Sequence, residues 1–282
     1  MLRVRAGCSA SLAALAFCLV PFIVTAQAPL YQVHAVRFAS VPYAIGSLVA
    51  GGDRTKKIDI AFTIWALQGA GRVVLVDAGF YREKFVAQWK PQNYVRPTEA
   101  LSAGLGINPD DVTDIIVTHS HWDHVDGVDL FPKAHVWIQR EEYAYYVGPS
   151  GTVLNSGGVD ADDAKMLSAL SASGRVTLVD GDAKTILAGI TVYTGGKHTF
   201  ASQYVGVSTR SGVVVLASDN AYLYQNLEEH LAIAQTLDAA SNLAAQTRML
   251  QLAAAPKFVI PGHDPGVFDR FPVVKSGVVR ID

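Results

Sequence analysis

Cysteine is almost absent from this chain of 282 residues, which contains only Cys8 and Cys18. Both lie in the first 26 residues, where two arginines precede an apolar run over 12–24 and small residues follow. This order is typical of a secretory signal peptide. We therefore predict cleavage of residues 1–26 and a periplasmic or secreted mature protein. That protein would have no disulfide, thiolate ligand or thiol nucleophile.

Long apolar runs are scarce as well. The run over 12–24 is interrupted by Pro21 and is shorter than the roughly 20 residues that a bilayer-spanning helix needs. A retained membrane anchor is the alternative to a cleaved leader. Cleavage after Ala26 and cleavage after Ala28 fit the pattern equally.

Charge is low, because only 17% of the residues are Asp, Glu, Lys or Arg. Without Arg3 and Arg5 of the leader, 21 of the 23 basic residues remain against 25 acidic ones, a net charge of −4. No long run of one sign occurs, so neither nucleic acid nor an anionic membrane is indicated as a partner. Residues 27–282 are half apolar and can bury one core, which predicts a single domain.

Hydrophobic patterning predicts an α/β protein. Strand-like runs form two groups separated by helices, and the order indicates two packed sheets with helices outside. The predicted strands are 31–39, 58–68, 72–78, 114–118, 134–139, 176–179, 186–193, 203–209, 213–217 and 258–260. One helix is predicted to begin at residue 98, and three more are predicted over 160–174, 227–234 and 239–253. Residues 41–57 are predicted to form a loop beside a site.

The densest group of potential metal ligands follows the apolar run 115–117. His119, His121, Asp123 and His124 fall within six residues, at the point where a strand gives way to a loop. Side chains two apart in extended backbone point the same way, so His119 and His121 can bind one ion. Asp123 and His124 lie past the turn and can face a second ion. Imidazole with carboxylate suits zinc and similar divalent metals.

Three further candidates each follow a strand in the second half of the chain. They are His198, Asp219 and His263, and glycines accompany both histidines. Alone, each would more often be a hydrogen-bonded structural residue. Together with the first cluster, they complete two sites.

This arrangement resembles the metallo-β-lactamase superfamily, which uses the pattern H-x-H-x-D-H followed by single His, Asp and His ligands. The resemblance implies an αβ/βα sandwich of two mixed sheets with two divalent metal ions at one edge. One ion would be bound by His119, His121 and His198, and the other by Asp123, His124 and His263. Asp219 would bridge both. Zinc is the expected metal, and iron, manganese or cobalt fit the same ligands.

Within the superfamily, the chain is most similar to the N-acyl homoserine lactonase family. The residues that carry this likeness are a bridging Asp219, Tyr222 three residues later, and the segments 76–80, 130–134, 139–143 and 261–265. The resemblance implies a quorum-quenching lactonase, in which a hydroxide shared by the ions attacks a small-molecule lactone or related ester. Tyr222 would contact the carbonyl or the leaving oxygen, and Asp219 or Asp123 would transfer the proton.

One departure concerns the third ligand, where the family usually reads G-H-T-P-G-H. Here His198 is retained but Ser202 replaces the second histidine. Two alternatives therefore stay open: the same fold acting on a β-lactam, thioester or phosphoester, and a metal-binding protein without catalysis. Asp77 is a candidate to hold a ligand histidine through its second ring nitrogen, or has a purely structural role. His34, His135 and His230 have no ligand neighbours and are not expected to bind metal.

Overall fold

A computed structural model of the chain describes residues 1–3, 7, 30–155 and 157–282. Most of the predicted leader, with both cysteines, lies outside the described residues, so the signal peptide stays a prediction. Among the residues described, no helix is long and apolar enough to cross a membrane.

Thirteen strands and eight α-helices occur in the described part of the chain. The strands are β1 Gln32–Ala44, β2 Lys57–Gly69, β3 Arg72–Val76, β4 Asp114–Ile116, β5 His135–Gln139, β6 Val176–Val179, β7 Lys184–Leu187, β8 Ile190–Thr194, β9 Gln203–Thr209, β10 Gly212–Ser218, β11 Val259–Pro261, β12 Val273–Lys275 and β13 Val278–Arg280. The helices are α1 Glu83–Trp89, α2 Pro97–Leu105, α3 Trp122–Val125, α4 Arg140–Tyr146, α5 Ala161–Ala172, α6 Tyr224–Glu228, α7 Ala239–Leu252 and α8 Val267–Arg270.

The strands form two mixed sheets, as predicted. The larger sheet has the order β12-β13-β1-β2-β3-β4-β5-β6, and its strands β3 to β6 pair in parallel. The smaller sheet has the order β11-β10-β9-β8-β7, and only β10 and β11 are parallel. The α/β sandwich expected from the sequence is confirmed.

Alternation along β2 shows how the layers pack. Trp65 and Leu67 belong to an apolar core shared with the second sheet, whereas Ile64 and Ala66 belong to a core shared with helices. Successive side chains of a strand point to opposite faces, so one strand serves both layers. The parallel strands β3 and β4 are buried on both faces, as continuous apolar runs predict.

Three local predictions were wrong in part. The predicted strand 186–193 is the hairpin β7–β8, which turns at Gly189 with a φ of +84°. The predicted loop 41–57 begins later, because β1 continues to Ala44 and pairs there with Lys57. The predicted helix 227–234 ends at Glu228, since the downstream segment pairs with another part of the chain.

A buried charge cluster joins α5 to the turn after α3. Arg82 donates to the carboxylates of Asp126, Asp129 and Asp163, and its Nη1 lies 2.7 Å from Asp163 Oδ1. Asp126 and Asp163 are both fully buried. Burial, with the nearby charge of Asp126, raises the pKa of Asp163 from 3.8 to about 8. The cluster therefore retains a proton at neutral pH.

We expect this proton to make stability depend on pH. Because Asp163 has a higher pKa in the folded chain, its contribution to the free energy of unfolding is complete below pH 3.8 and is lost as the pH rises towards about 8. Asp163→Asn supplies an uncharged side chain that can still donate a hydrogen bond. Thermal unfolding between about pH 6 and about pH 8 should therefore show a smaller fall of Tm in the variant than in the wild type.

The exposed Asp162 on the same helix provides the control. Asp162→Asn should leave the pH dependence of the wild-type Tm unchanged. Parallel pH profiles for wild type and Asp163→Asn would contradict the assignment of the proton to this cluster.

Candidate functional site

The candidate site lies at one edge of the sandwich, where chain segments leave the carboxyl ends of several strands. His119 and His121 follow β4, and Asp123 and His124 lie on α3. The later residues follow β8, β10 and β11, namely His198, Asp219 and His263. The structure thus brings together all seven residues that the sequence singled out, in two groups.

The first group contains three histidines. His121 Nδ1 lies 3.0 Å from His119 Nε2 and 2.9 Å from His198 Nε2. Asp219 Oδ2 lies 3.3 Å from His198 Nε2 and 3.7 Å from His119 Nε2. These four side chains each direct one ligand atom to a common point.

The second group contains Asp123, His124 and His263. Asp123 Oδ2 lies 3.5 Å from His124 Nε2 and 3.7 Å from His263 Nε2. The other carboxylate oxygen of Asp219 is 3.4 Å and 3.0 Å from the same two nitrogens. Asp219 therefore lies between the groups and presents one oxygen to each.

The second ring nitrogen of each histidine has its own partner, which fixes the orientation of the ring. Asp77 Oδ2 lies 2.8 Å from His124 Nδ1, as expected from the sequence. The other partners are mostly main-chain oxygens, which carry no signal in a sequence. They are Ala61 O for His263 Nδ1, Gln235 O for His198 Nδ1, Gly157 O for His121 Nε2, and Thr118 Oγ1 for His119 Nδ1.

Electrostatics distinguishes the two groups. Burial lowers the pKa of His121 and of His198 to about 4, and holds that of His119 well below its usual range. For His124 and His263 burial also opposes the charged form, but Asp219 and Asp123 outweigh it and raise the pKa. The first group thus offers neutral imidazoles, and the second lies in a field that favours a cation.

The donor set fits divalent metal ions. Buried polar atoms in proteins are normally hydrogen-bonded. Among the described residues, however, His124 Nε2 and Asp219 Oδ1 are buried without a hydrogen-bond partner. Both atoms face the second group, where they lie 3.4 Å apart. Imidazole nitrogens and carboxylate oxygens in this number and geometry suit zinc and related ions.

A cleft of about 420 Å³ leads to these side chains. Half of its lining residues are aromatic or aliphatic, and Trp122 stacks on Trp89 with ring centroids 5.3 Å apart. Tyr43 and Leu48 line one wall, so the predicted loop does border the site in part. Trp89 was not anticipated, because the sequence gives no sign that α1 reaches the cleft.

Tyr222 lines the cleft, as its place after Asp219 suggested. It is 4% exposed, and its hydroxyl is 3.2 Å from His198 Nδ1. That nitrogen also lies 2.9 Å from the carbonyl of Gln235. If His198 Nε2 binds a metal, Nδ1 carries the hydrogen and donates it, so the phenol oxygen can only accept there. The phenol hydrogen is then free to face the cleft.

Ser202 has a structural role away from the metal ligands. Its hydroxyl lies 3.1 Å from Asn220 Oδ1, which also accepts from the Gly196 amide at 2.7 Å. The amide nitrogen of Asn220 donates to the Ala217 and Gln203 carbonyls. Asn220 therefore ties the loop before His198 to the strand end that carries Asp219.

We expect Asn220 and Ser202 to differ in their effect on stability. Asn220→Ala leaves buried donors and acceptors unpaired and should lower the free energy of unfolding by about 2–3 kcal/mol. Ser202→Ala removes one hydrogen bond and should cost about 1 kcal/mol with little change in metal content. Urea unfolding of both variants checks this. A larger loss for Ser202→Ala would contradict the role assigned to Asn220.

The other histidines stay apart from the site. Within the described part of the chain, His34, His135 and His230 belong to neither of the two metal-type groups. His135 Nε2 instead lies 2.7 Å from a threonine hydroxyl on the neighbouring strand.

Comparison with known proteins agrees with this geometry. The family model of the metallo-beta-lactamase superfamily matches residues 63–263. An N-acyl homoserine lactonase from Bacillus cereus is 25% identical over 162 residues, which cover 57% of this chain and 59% of that protein. The chain thus matches less than two thirds of the length of this relative.

Solved structures share the fold. The crystal structure of a quorum-quenching N-acyl homoserine lactone lactonase has a TM-score of 0.71 at 21% identity, covering 86% of this chain and 95% of the other. AidC, a dizinc quorum-quenching lactonase, has a TM-score of 0.64 at 16% identity, covering 85% and 90%. The family match, the two-sheet fold and the clustered His and Asp side chains together make this chain a member of the metallo-β-lactamase superfamily.

Proposed function

We propose that this protein is a di-metal hydrolase that opens lactone rings, with N-acyl homoserine lactones as the first substrates to assay. The observation that carries the proposal is the position of Asp219 between two metal-type groups, with the Tyr222 hydroxyl beside them in a cleft that has aromatic and aliphatic walls. The lactonases among its relatives support the same substrate class.

In this proposal, seven residues hold the metals. His119, His121 and His198 bind one ion and Asp123, His124 and His263 bind the other, with Asp219 shared between them. Two divalent ions, when bound, lower the pKa of a shared water towards neutrality and polarise a substrate carbonyl. Zinc is the expected ion, and iron, manganese or cobalt fit the same ligands.

Two side chains complete the chemistry. Burial raises the pKa of Tyr222 well above its usual value, and Asp219 and Asp123 add to that effect. The phenol therefore stays protonated and can donate to the developing oxyanion. Asp123 is the more accessible of the two carboxylates, with a side chain 13% exposed, and it lines the cleft. It can accept a proton from the nucleophile and pass it to the leaving alkoxide.

The cleft itself favours a neutral substrate. Tyr43, Leu48, Ile60, Phe62 and Trp89 form its apolar walls. Among the described residues that line it, none is Lys or Arg, whereas Asp123 and Asp219 are present. Carboxylates and phosphates are generally recognised by such cationic groups. Outside the metal centre, the described lining therefore offers no cationic side chain to the carboxylate of a β-lactam drug, to a glutathione thioester or to a charged phosphoester, whereas an uncharged acyl lactone needs none.

A substrate panel tests the function. The purified protein, loaded with zinc, is assayed by proton release against acyl homoserine lactones of several chain lengths and a simple lactone. A cephalosporin, a thioester and an uncharged aryl phosphotriester serve as rivals. We expect turnover of the lactones to exceed that of all three rivals. Two bound metals per chain without lactone turnover would overturn the proposal.

Export to the periplasm or medium is a second part of the proposal. It rests on the residue pattern of positions 1–26 alone. Cell fractionation, with mass determination of the recovered protein, should find a chain shortened by 26 or 28 residues outside the cytoplasm. Recovery of the uncut chain from the cytoplasm or the membrane would contradict export.

A further inference from the structure

We propose that Glu142 is a positioning residue of the metal centre, whose carboxylate holds two ligand-bearing loops in register. The inference rests on the metal centre of the proposed function. It does not depend on which substrate the enzyme hydrolyses. Glu142 itself lies outside both metal-type groups and does not line the cleft.

The carboxylate of Glu142 contacts both loops directly. One oxygen accepts from the Ser120 amide at 3.0 Å, and the other accepts from the Ala201 amide at 2.8 Å. Ser120 stands between His119 and His121, and Ala201 follows His198 by three residues. One side chain thus connects the backbone that carries all three histidines of the first group.

Neighbouring residues of α4 strengthen this connection. The ring of Tyr145 stacks on Phe200 with centroids 4.0 Å apart and planes within 3° of parallel. The Phe200 amide donates to the Tyr146 hydroxyl at 3.4 Å. The helix therefore makes three contacts with two residues of the loop after His198, Phe200 and Ala201. Of the three helix residues, Glu142 is the one that also contacts the loop before α3.

The chemistry of the side chain explains why a carboxylate is needed here. Glu142 is fully buried, and it forms no ion pair among the described residues. Burying a charge without a cationic partner is costly, so the two amide donors are its main compensation. A carboxylate accepts at both oxygens, whereas a glutamine of the same size accepts at one and presents an N–H₂ group at the other. Glutamine cannot hold both loops.

The test is the rate of metal loss from Glu142→Gln. Zinc transfer from the loaded protein to a coloured chelator is followed in the wild type, in this variant and in Glu141→Gln, whose side chain is exposed on the same helix. Residues that orient metal ligands typically contribute 10- to 100-fold to metal affinity. We expect about a 10- to 100-fold faster loss of one of the two ions from Glu142→Gln and no change in Glu141→Gln.

A merely structural role would give a different result. It would lower the stability of the metal-free protein while leaving the rate of zinc loss and the absorption spectrum of bound cobalt unchanged, and that outcome would overturn the inference. If Glu142→Gln does not fold, Glu142→Asp provides the comparison, because its shorter side chain cannot span both amides.

Hydrogen exchange in the wild type provides an independent measurement. The amides of Ser120 and Ala201 should gain protection together when zinc binds, since they share one acceptor group. Independent protection of the two amides would contradict the coupling. If the wild type holds two ions stably but opens no lactone, the proposed function fails and these measurements still decide the role of Glu142.

Discussion

Asp219→Asn is expected to lower lactone turnover by about a thousandfold and to reduce the metal content below two ions per chain. The magnitude follows from the several kcal/mol that metal ions supply to such reactions, at about 1.4 kcal/mol for each factor of ten. Turnover is measured by proton release, and metal content by elemental analysis of the same sample.

The physical reason is the position of the Asp219 carboxylate. Its two oxygens lie 3.3 Å and 3.0 Å from the nearest nitrogens of the two groups, His198 Nε2 and His263 Nε2. Although burial disfavours its charge, His263 and His124 hold the pKa of Asp219 well below its usual range. The carboxylate is therefore negative at working pH. Asparagine has the same shape but no charge, and it turns an N–H₂ group towards one of the ions.

A matched control separates this effect from a general loss of acidic charge. Asp59 is exposed on β2, next to the cleft residue Ile60. Asp59→Asn should retain two ions and near wild-type turnover. An Asp219→Asn variant that holds both ions and opens lactones at the wild-type rate would show that the two groups do not share this carboxylate.

The candidate metal ligands could be predicted because each lies in or beside a pattern that is visible in the local sequence. His119 to His124 form a short motif after an apolar run, and the later candidates each end a strand. Strand ends that share one edge of a sandwich converge in space, so a one-dimensional pattern specifies a three-dimensional group. Asp77 could be anticipated for the same reason.

What the sequence could not predict depends on contacts between distant segments. The helix expected over 227–234 ends early because the side-chain nitrogen of Asn226 donates to the Leu231 and Ala232 carbonyls and Ile233 pairs with Val49. Local helix propensity cannot compete with these tertiary contacts. Glu142 is a second case, since its partners are main-chain amides whose position only the folded chain reveals.

Tyr222→Phe is expected to lower kcat for lactones by about a hundredfold while leaving KM and metal content nearly unchanged. The loss of one donor to a developing oxyanion typically costs 10²- to 10³-fold in kcat. The lower end applies here because bound metals also stabilise the carbonyl oxygen. Steady-state kinetics and elemental analysis of the variant measure the three quantities together.

Unlike Asp219→Asn, the Tyr222→Phe variant should lose activity without losing metal. The phenol accepts a hydrogen bond from the far side of the His198 ring, which retains the Gln235 carbonyl as a partner when the hydroxyl is removed. The ring thus keeps its orientation and its metal. Since burial keeps Tyr222 protonated, the loss of kcat should be the same throughout the neutral range, with no new step in the pH profile.

Tyr224 provides the matched control, because it is a second buried tyrosine two residues away whose hydroxyl has no hydrogen-bond partner among the described residues. It does not line the cleft. Tyr224→Phe should therefore leave kcat unchanged. If both variants lose activity equally, the effect comes from packing near Asp219. If neither does, the oxyanion is stabilised without Tyr222, and the phenol has no part in opening the lactone.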